Sequence, residues 1–188
     1  FVNTSFNKLN TGKFNISISN FIINISPEKL FKFSKLYSTF YEIPNACELS
    51  QYSEYVSALL YEFIYKANNF ITEGKIIKEL RNKKICMNGH SPPDIYMSNI
   101  NGKPTLVSVT RFNSKYDLKR RAYNLLLNKI KKSIDSVETT FPILKTDRCI
   151  IQIFCKTEKN AIILKNTFQK MQNIPNNVYI HIVICDHK

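Results

Sequence analysis

The chain has 188 residues, 44% of them hydrophobic. This length and composition are sufficient for one domain with a sizeable core, and the chain is too short for two domains of ordinary size. Its 27 lysines and arginines against 14 aspartates and glutamates give a formal charge of +13, which favours a polyanionic partner such as nucleic acid. No stretch approaches the roughly 20 apolar residues of a membrane span, so we expect no membrane partner.

The cysteines indicate the cellular compartment of the protein, and the first residue indicates whether the chain is part of a longer one. The five cysteines are odd in number and widely spaced, which is typical of neither a zinc site nor a disulfide framework. We therefore expect an intracellular protein of the nucleus or cytoplasm, although three Asn-x-Ser sequons, at Asn3, Asn15 and Asn24, are compatible with secretion. Because the chain begins with Phe1, we expect a piece of a larger parent protein.

The N-terminal third predicts strands followed by helices. Residues 14–26 alternate apolar and polar side chains, which indicates a hairpin. Pro27 then opens a helix in which Leu30, Phe33, Leu36 and Phe40 share one face. Residues 46–70 carry the clearest apolar stripe at helical spacing and predict a single long helix, which a turn at Gly74 follows.

The remaining two thirds predict a hairpin and then alternating helices and strands. Asn101-Gly102 is a strong signal for a two-residue hairpin turn and leads into an apolar strand at residues 105–109. A basic helix is predicted over residues 115–137. Cys149–Cys155 and Val178–Cys185 predict buried strands, and residues 158–171 predict the helix between them.

One stretch of the sequence points to a known family. Pro93-Asp94 precedes the predicted hairpin, and the second strand of that hairpin, residues 106–111, feeds directly into the basic helix. In this order of elements, residues 46–155 resemble the PD-(D/E)XK nuclease superfamily. The resemblance implies an α/β fold of restriction-endonuclease type, with a mixed central sheet flanked by helices. We take residues 1–188 as one such domain, in which residues 1–44 form a hairpin and helix extension and residues 45–188 form the core.

The resemblance also implies the site residues. Asp94 takes the place of the motif aspartate, which in these nucleases holds a divalent cation that activates water. Ser108 and Thr110 take the places of the second acid and the lysine. A hydroxyl brings no charge to either role, so the catalytic motif is incomplete and we expect an inactive or weakly active site.

Residues from neighbouring elements are candidates to complete the site. On a helical wheel of the basic helix, Lys119 and Lys115 lie on the side of its apolar residues, so either lysine can reach back towards the strand at residues 106–111. Glu48 borders the apolar stripe of the long helix, so it is the candidate to join Asp94 in binding Mg²⁺ or Mn²⁺, whereas Glu54 and Glu62 are predicted to face solvent. Glu48 is equally explained as a favourable charge at a helix N-terminus.

The densest positive segment runs from Lys103 to Lys132, with nine basic residues against Asp117 alone. Phosphate contacts are therefore predicted for six of them: Arg111, Lys115, Lys119, Arg120, Arg121 and Lys129. We expect a nucleic-acid-binding domain with an incomplete nuclease motif, for DNA or RNA. Two alternatives stay open, an active endonuclease with a migrated lysine, and a protein-interaction module whose lysines reflect biased codons.

Overall fold

In a computed structural model, which describes residues 16–21, 36–41, 48–86, 92–100 and 103–185, the chain is built on one mixed sheet. Within these residues the sheet has six strands in the order β1-β6-β5-β4-β3-β2. The strands are β1 (Ile16–Phe21), β2 (Asn68–Thr72), β3 (Ile95–Ile100), β4 (Lys103–Phe112), β5 (Cys149–Cys155) and β6 (Val178–Cys185). The helices are α1 (Leu36–Tyr41), α2 (Glu48–Tyr65), α3 (Glu73–Asn82), α4 (Leu118–Leu144) and α5 (Glu158–Lys170). The expected α/β class, a mixed sheet flanked by helices, is confirmed.

Strands β2, β3 and β4 form the antiparallel part of the sheet. β3 and β4 pair with Ile95 opposite Val107 and Ile100 opposite Lys103, so the hairpin predicted from the Asn-Gly dipeptide is confirmed. The turn residues themselves lie outside the described residues. β2 pairs antiparallel with the other edge of β3, where Thr72 lies opposite Ile95.

Strands β4, β5, β6 and β1 are parallel to one another. Parallel neighbours need a crossover, which α4 supplies between β4 and β5, and α5 between β5 and β6. All seven residues of β5 are buried, as expected for a strand covered on both faces. The sequence predicted the bounds of β5 and β6 correctly.

The two faces of the sheet are covered by different helices. α4 and α5 pack on one face, where Leu126 and Leu164 contact the apolar side chains of β5 and β6. α2 packs on the other face, where Leu59 belongs to the cluster that contains Val107 and Val109 of β4. Successive residues of a strand point to opposite faces, so each strand contributes to both cores.

The prediction of one helix over residues 46–70 was wrong at its C-terminal end. α2 ends at Tyr65 because Lys66 adopts a left-handed conformation (φ 54°), and residues 68–72 then join the sheet as β2. The turn predicted at Gly74 was also wrong, since Gly74 is the second residue of α3. Pairing with β3 overrides the local helical pattern here, which a periodicity argument cannot detect.

The N-terminal predictions are only partly within the described residues. Ile16–Phe21 is a strand, and it pairs in parallel with β6 at the edge of the sheet. The second half of the predicted hairpin and the start of the following helix lie outside the described residues. The last part of that helix is α1, which buries Leu36 and Phe40 against α2 as its spacing predicted. None of the described helices is long and apolar enough to cross a lipid bilayer.

Candidate functional site

The candidate site lies where β4 extends beyond its antiparallel neighbours. β3 begins at Ile95, opposite Val107, and the remaining residues of β4 continue without a partner from β3. A strand edge of this kind leaves backbone N–H groups that need an acceptor. Asp94 supplies one, since its Oδ2 accepts a hydrogen bond of 2.5 Å from the Val109 amide. The carboxylate at position 94 is therefore fixed against β4 at the end of the sheet.

Lys129 of α4 reaches the same point from the neighbouring helix. Its Nζ donates to Ser108 Oγ at 3.0 Å and to the Val109 carbonyl at 3.2 Å. The Ser108 hydroxyl also hydrogen-bonds Asp94, so it connects the ammonium and the carboxylate. Lys129 is half-buried, and its wheel position at the border of the buried stripe of α4 explains why it points to the sheet.

Two further carboxylates face Asp94. Glu73 is the first residue of α3, and its backbone N–H donates to the Asp94 carbonyl at 3.0 Å. Glu54 comes from the middle of α2, is only 5% exposed, and accepts a hydrogen bond from Ser50 Oγ at 3.1 Å. We call the group formed by Glu54, Glu73, Asp94, Ser108 and Lys129 the notch.

Burial is the main influence on every ionisable group of the notch. It raises the pKa of Glu54 to about 7, and the negative charge of Asp94 adds to that increase. The pKa of Glu73 is raised by the same two causes. Burial also raises the pKa of Asp94, although the Lys129 ammonium and the hydrogen bonds from Val109 and Ser108 oppose this. The pKa of Lys129 is lowered by burial, against the pull of Asp94.

These shifts show that burial disfavours the charged form of each ionisable group in the notch, and that groups of opposite charge lie close together there. Three carboxyl groups repel one another, and two ammonium groups oppose this repulsion: Lys129 has the larger influence on Asp94, and Lys132 has the larger influence on Glu73. Clusters of groups with perturbed pKa values at the end of a sheet are typical of functional sites. The arrangement therefore places one fixed ammonium beside three carboxyl groups of perturbed pKa.

A divalent cation does not fit the notch in this arrangement. No three aspartate, glutamate, histidine or cysteine side chains in the described part of the chain converge closely enough to hold a metal ion. Asp94 already accepts hydrogen bonds, and the Val109 carbonyl is bound by the Lys129 ammonium. A hard cation needs several oxygen ligands around one point, and here an ammonium occupies that region.

The other predicted site residues are not part of the notch. Thr110 is half-buried two residues after Ser108, on the same face of β4. Arg111 points to the opposite face, where its Nε donates to Ser53 Oγ of α2 at 2.7 Å. Glu48 is the first residue of α2, and its side chain lies outside the described part of the chain.

The basic residues predicted for phosphate contact do not form one surface. Lys119 lines a groove between α4 and α5, ten residues from Lys129 and therefore about 15 Å away along the helix. Arg120 is paired with Asp117 at 2.5 Å on the surface. Lys115 and Arg121 are exposed. The lysine that reaches β4 beside Asp94 is thus Lys129, which the sequence had placed only among the phosphate contacts.

The prediction that Glu54 faces solvent was wrong. Every residue from Ser53 to Tyr61 is buried, because α2 is covered on more than one side and has no solvent face in its middle. A two-sided helical wheel cannot represent such a helix. Lys129 could have been found, since it lies four residues from Leu125 and from Ser133, but nothing local to Glu73 marks it as a site residue.

Comparisons of the chain with protein-family models, with curated proteins and with solved structures found no match.

Proposed function

We propose that this chain is a nucleic-acid-binding domain related in architecture to the PD-(D/E)XK nucleases, with an incomplete catalytic motif. The observation that carries the proposal is Lys129, whose ammonium lies on β4 beside Asp94, next to the position where the motif lacks its lysine. A fixed ammonium at the open end of a sheet is a suitable partner for a phosphate oxygen.

The order of elements supports the architectural part of the proposal. A helix, an antiparallel arrangement of three strands, a helix and a parallel strand follow one another as α2, β2-β3-β4, α4 and β5, with α3 inserted after β2. Asp94 stands at the start of the second strand of that arrangement and pairs with the third. The resemblance in the sequence depends on the order helix, hairpin, helix and strand, to which β2 and α3 are additions.

The charges around the notch support the binding part. Lys132 follows Lys129 by three residues, and Arg121 precedes it by eight, so on a helical wheel both lie on the side of α4 next to Lys129. Both are exposed. These cations can neutralise successive phosphates of a strand that passes the end of β4, and the excess of +13 over the chain attracts such a ligand.

The test measures affinity for labelled single-stranded and duplex 20-mers as a function of salt. For about four phosphate contacts we expect the duplex affinity to fall about 100-fold between 50 and 200 mM salt. Charge reversal at Arg121 and Lys132 (R121E and K132E together) should weaken binding at least tenfold and reduce the salt dependence. Lys83→Glu combined with Lys84→Glu is the matched control, because both lysines are exposed just beyond the far end of α3. Equal affinities for the Arg121 and Lys132 double variant and for this control would remove the notch from the binding surface.

Metal-dependent cleavage is the second candidate, and the position of Lys129 beside Asp94 favours it. It would need Glu54 or Glu73 to turn towards Asp94 before a cation could be held. Labelled strands incubated with manganese distinguish the two candidates. Our proposal predicts no cleavage above the background of buffer alone, whereas manganese-dependent cleavage that is lost in both Asp94→Ala and Lys129→Met would establish the second candidate in its place.

A further inference from the structure

The groove between α4 and α5 contains features that the notch does not use. It has a volume of about 390 Å³, and its lining includes Lys119, Tyr123, Ile163, Asn166, Lys170 and Met171. We propose that this groove binds one nucleotide of a single strand, with the base stacked on Tyr123 and the adjacent phosphates held by Lys119 and Lys170. The inference rests on the proposed function and specifies which class of nucleic acid the domain prefers.

The stacking surface is the first argument. Tyr123 is 47% exposed, although an aromatic ring on a helix that packs against a sheet is usually buried. Ile163 and Met171 supply apolar surface beside it. Any base has a flat face that can stack on such a ring, and one stacked base typically strengthens binding by roughly tenfold or more. The bases of a duplex are already stacked on one another, so only an unpaired base can use the ring.

The charges are the second argument. Lys119 enters the groove from α4 and Lys170 from the last turn of α5, so an ammonium is supplied from each wall. No aspartate or glutamate lines this groove among the described residues. Lys119 and Tyr123 are also one helical turn apart, which places the first ammonium next to the ring. A base stacked on the Tyr123 ring would therefore have an ammonium on each side of it, one for each of its two neighbouring phosphates.

The size of the groove is the third argument. Sites for small organic ligands typically have volumes of about 300–1,000 Å³, and this groove lies near the lower limit. That is suited to a single base with its sugar. The Asn166 side chain, an amide with both donor and acceptor atoms, is exposed at the wall and can contact a base edge.

A tryptophan introduced at position 123 tests the proposal directly. The chain contains no tryptophan, so Tyr123→Trp creates a unique fluorescent reporter on the proposed stacking surface. Titration with a single-stranded 12-mer should quench its fluorescence at least twofold. A duplex of the same sequence, inorganic phosphate and anionic lipid vesicles should each leave the signal unchanged. Phe63→Trp is the control, because Phe63 is 62% exposed on α2 and does not line the groove, and its signal should not respond to the 12-mer.

Substitutions in the otherwise unchanged chain give the second measurement. Tyr123→Ala should weaken binding of the 12-mer about tenfold, which corresponds to the loss of one stacked base. Lys119→Ala should weaken it about threefold to fivefold. Lys131→Ala removes the same charge from an exposed position of α4 that does not line the groove, and it should change the affinity less than twofold.

The outcomes separate this inference from the proposed function. If the unsubstituted chain binds nucleic acid with the expected salt dependence but neither the quench nor the Tyr123→Ala effect is seen, the groove proposal is wrong and the notch proposal stands. If the chain binds no nucleic acid even at low salt, the proposed function fails first. Quenching of the introduced tryptophan by the duplex or by vesicles to the same extent as by the 12-mer would assign the groove to a different ligand and would also overturn the inference.

Discussion

Two groups of buried polar residues lie at the sheet and differ in kind. In the notch, Asp94, Glu54, Glu73 and Lys129 are ionisable groups whose charges depend on one another. Under the middle of α2, Ser57 donates to Gln152 at 2.6 Å, and Tyr61 and His181 are joined at 3.1 Å between Oη and Nδ1. We call this second group the α2 pairs.

The α2 pairs are held neutral. Burial lowers the pKa of His181 to about 4 and raises the pKa of Tyr61 well above its usual value. The Tyr61–His181 pair is neutral and hydrogen-bonded inside an apolar layer, so we interpret it as structural. The Ser57–Gln152 pair is neutral as well, although Gln152 Nε2 is buried without a partner among the described residues. The notch, by contrast, keeps several ionisable groups close together beside Ser108 and Val109, where β4 continues past the start of β3, at a cost in desolvation that packing does not explain. The difference identifies the notch as the functional candidate.

The largest expected effect is at Asp94. Asp94→Ala removes the acceptor of the Val109 amide and of the Ser108 hydroxyl, and it removes the carboxylate whose charge acts on the half-buried Lys129 ammonium, so we expect a loss of about 3 kcal/mol in the free energy of unfolding. Urea denaturation measures it, with Asp147→Ala as the control at an exposed aspartate. The double variant Asp94→Ala with Lys129→Met should lose less free energy of unfolding than the sum of the two single variants, since the ammonium on which the Asp94 charge acts is then also removed. A loss as small as that of the control would mean that the notch is an ordinary solvated surface.

An element or site residue could be predicted from the sequence where the residues that determine it are close together in the chain. The bounds of β5 and β6 and the β3-β4 hairpin were predicted because continuous apolar runs and the Asn-Gly turn are local features of the sequence. The end of α2 was not, since β2 forms through pairing with β3, which is distant in sequence. In the same way Asp94 was predicted from its motif, whereas Glu54 and Glu73 enter the notch only through the packing of α2 and the start of α3.

The second effect concerns His181 and is largest in acid. Because the folded-state pKa is about 4, below the usual 6.5, the unfolded chain binds the proton first as the pH falls. Stability from this group is therefore complete above about pH 6.5 and is lost progressively down to about pH 4, by about 3 kcal/mol in total. His181→Gln cannot titrate, so the difference in free energy of unfolding between the unsubstituted chain and this variant, measured from pH 7.5 to 4.5, isolates the contribution of His181. Relative to the variant, the unsubstituted chain should lose most of this stability as the pH falls, and parallel curves would show that His181 is not held neutral.

Glu54 should have the opposite pH dependence, which sharpens the contrast between the two regions. Its folded-state pKa of about 7 lies above the usual 4.5, so the folded protein binds the proton more tightly. Its ionisation therefore destabilises the fold above pH 7, and the penalty disappears as the pH falls towards 4.5. The effect is on the order of 2 kcal/mol, reduced from the full shift because the notch borders solvent. Glu54→Gln should be more stable than the unsubstituted chain at pH 8 and equal to it near pH 4.5. Glu79→Gln, at an exposed position of α3, is the control, and an identical pH profile for the two variants would place Glu54 in solvent after all.

The smallest effect tests whether the α2 pairs are structural. Tyr61→Phe keeps the buried ring and removes only the hydroxyl that bonds His181 Nδ1, so it should cost about 1–2 kcal/mol in the free energy of unfolding. Tyr116→Phe removes the same atom from a side chain that is 78% exposed, and it should change stability by less than about 0.5 kcal/mol. Neither substitution should alter affinity for nucleic acid, because neither residue belongs to the notch. If Tyr61→Phe weakened binding while stability was unchanged, the division between a structural and a functional polar region would be wrong, and the site would have to extend beneath α2.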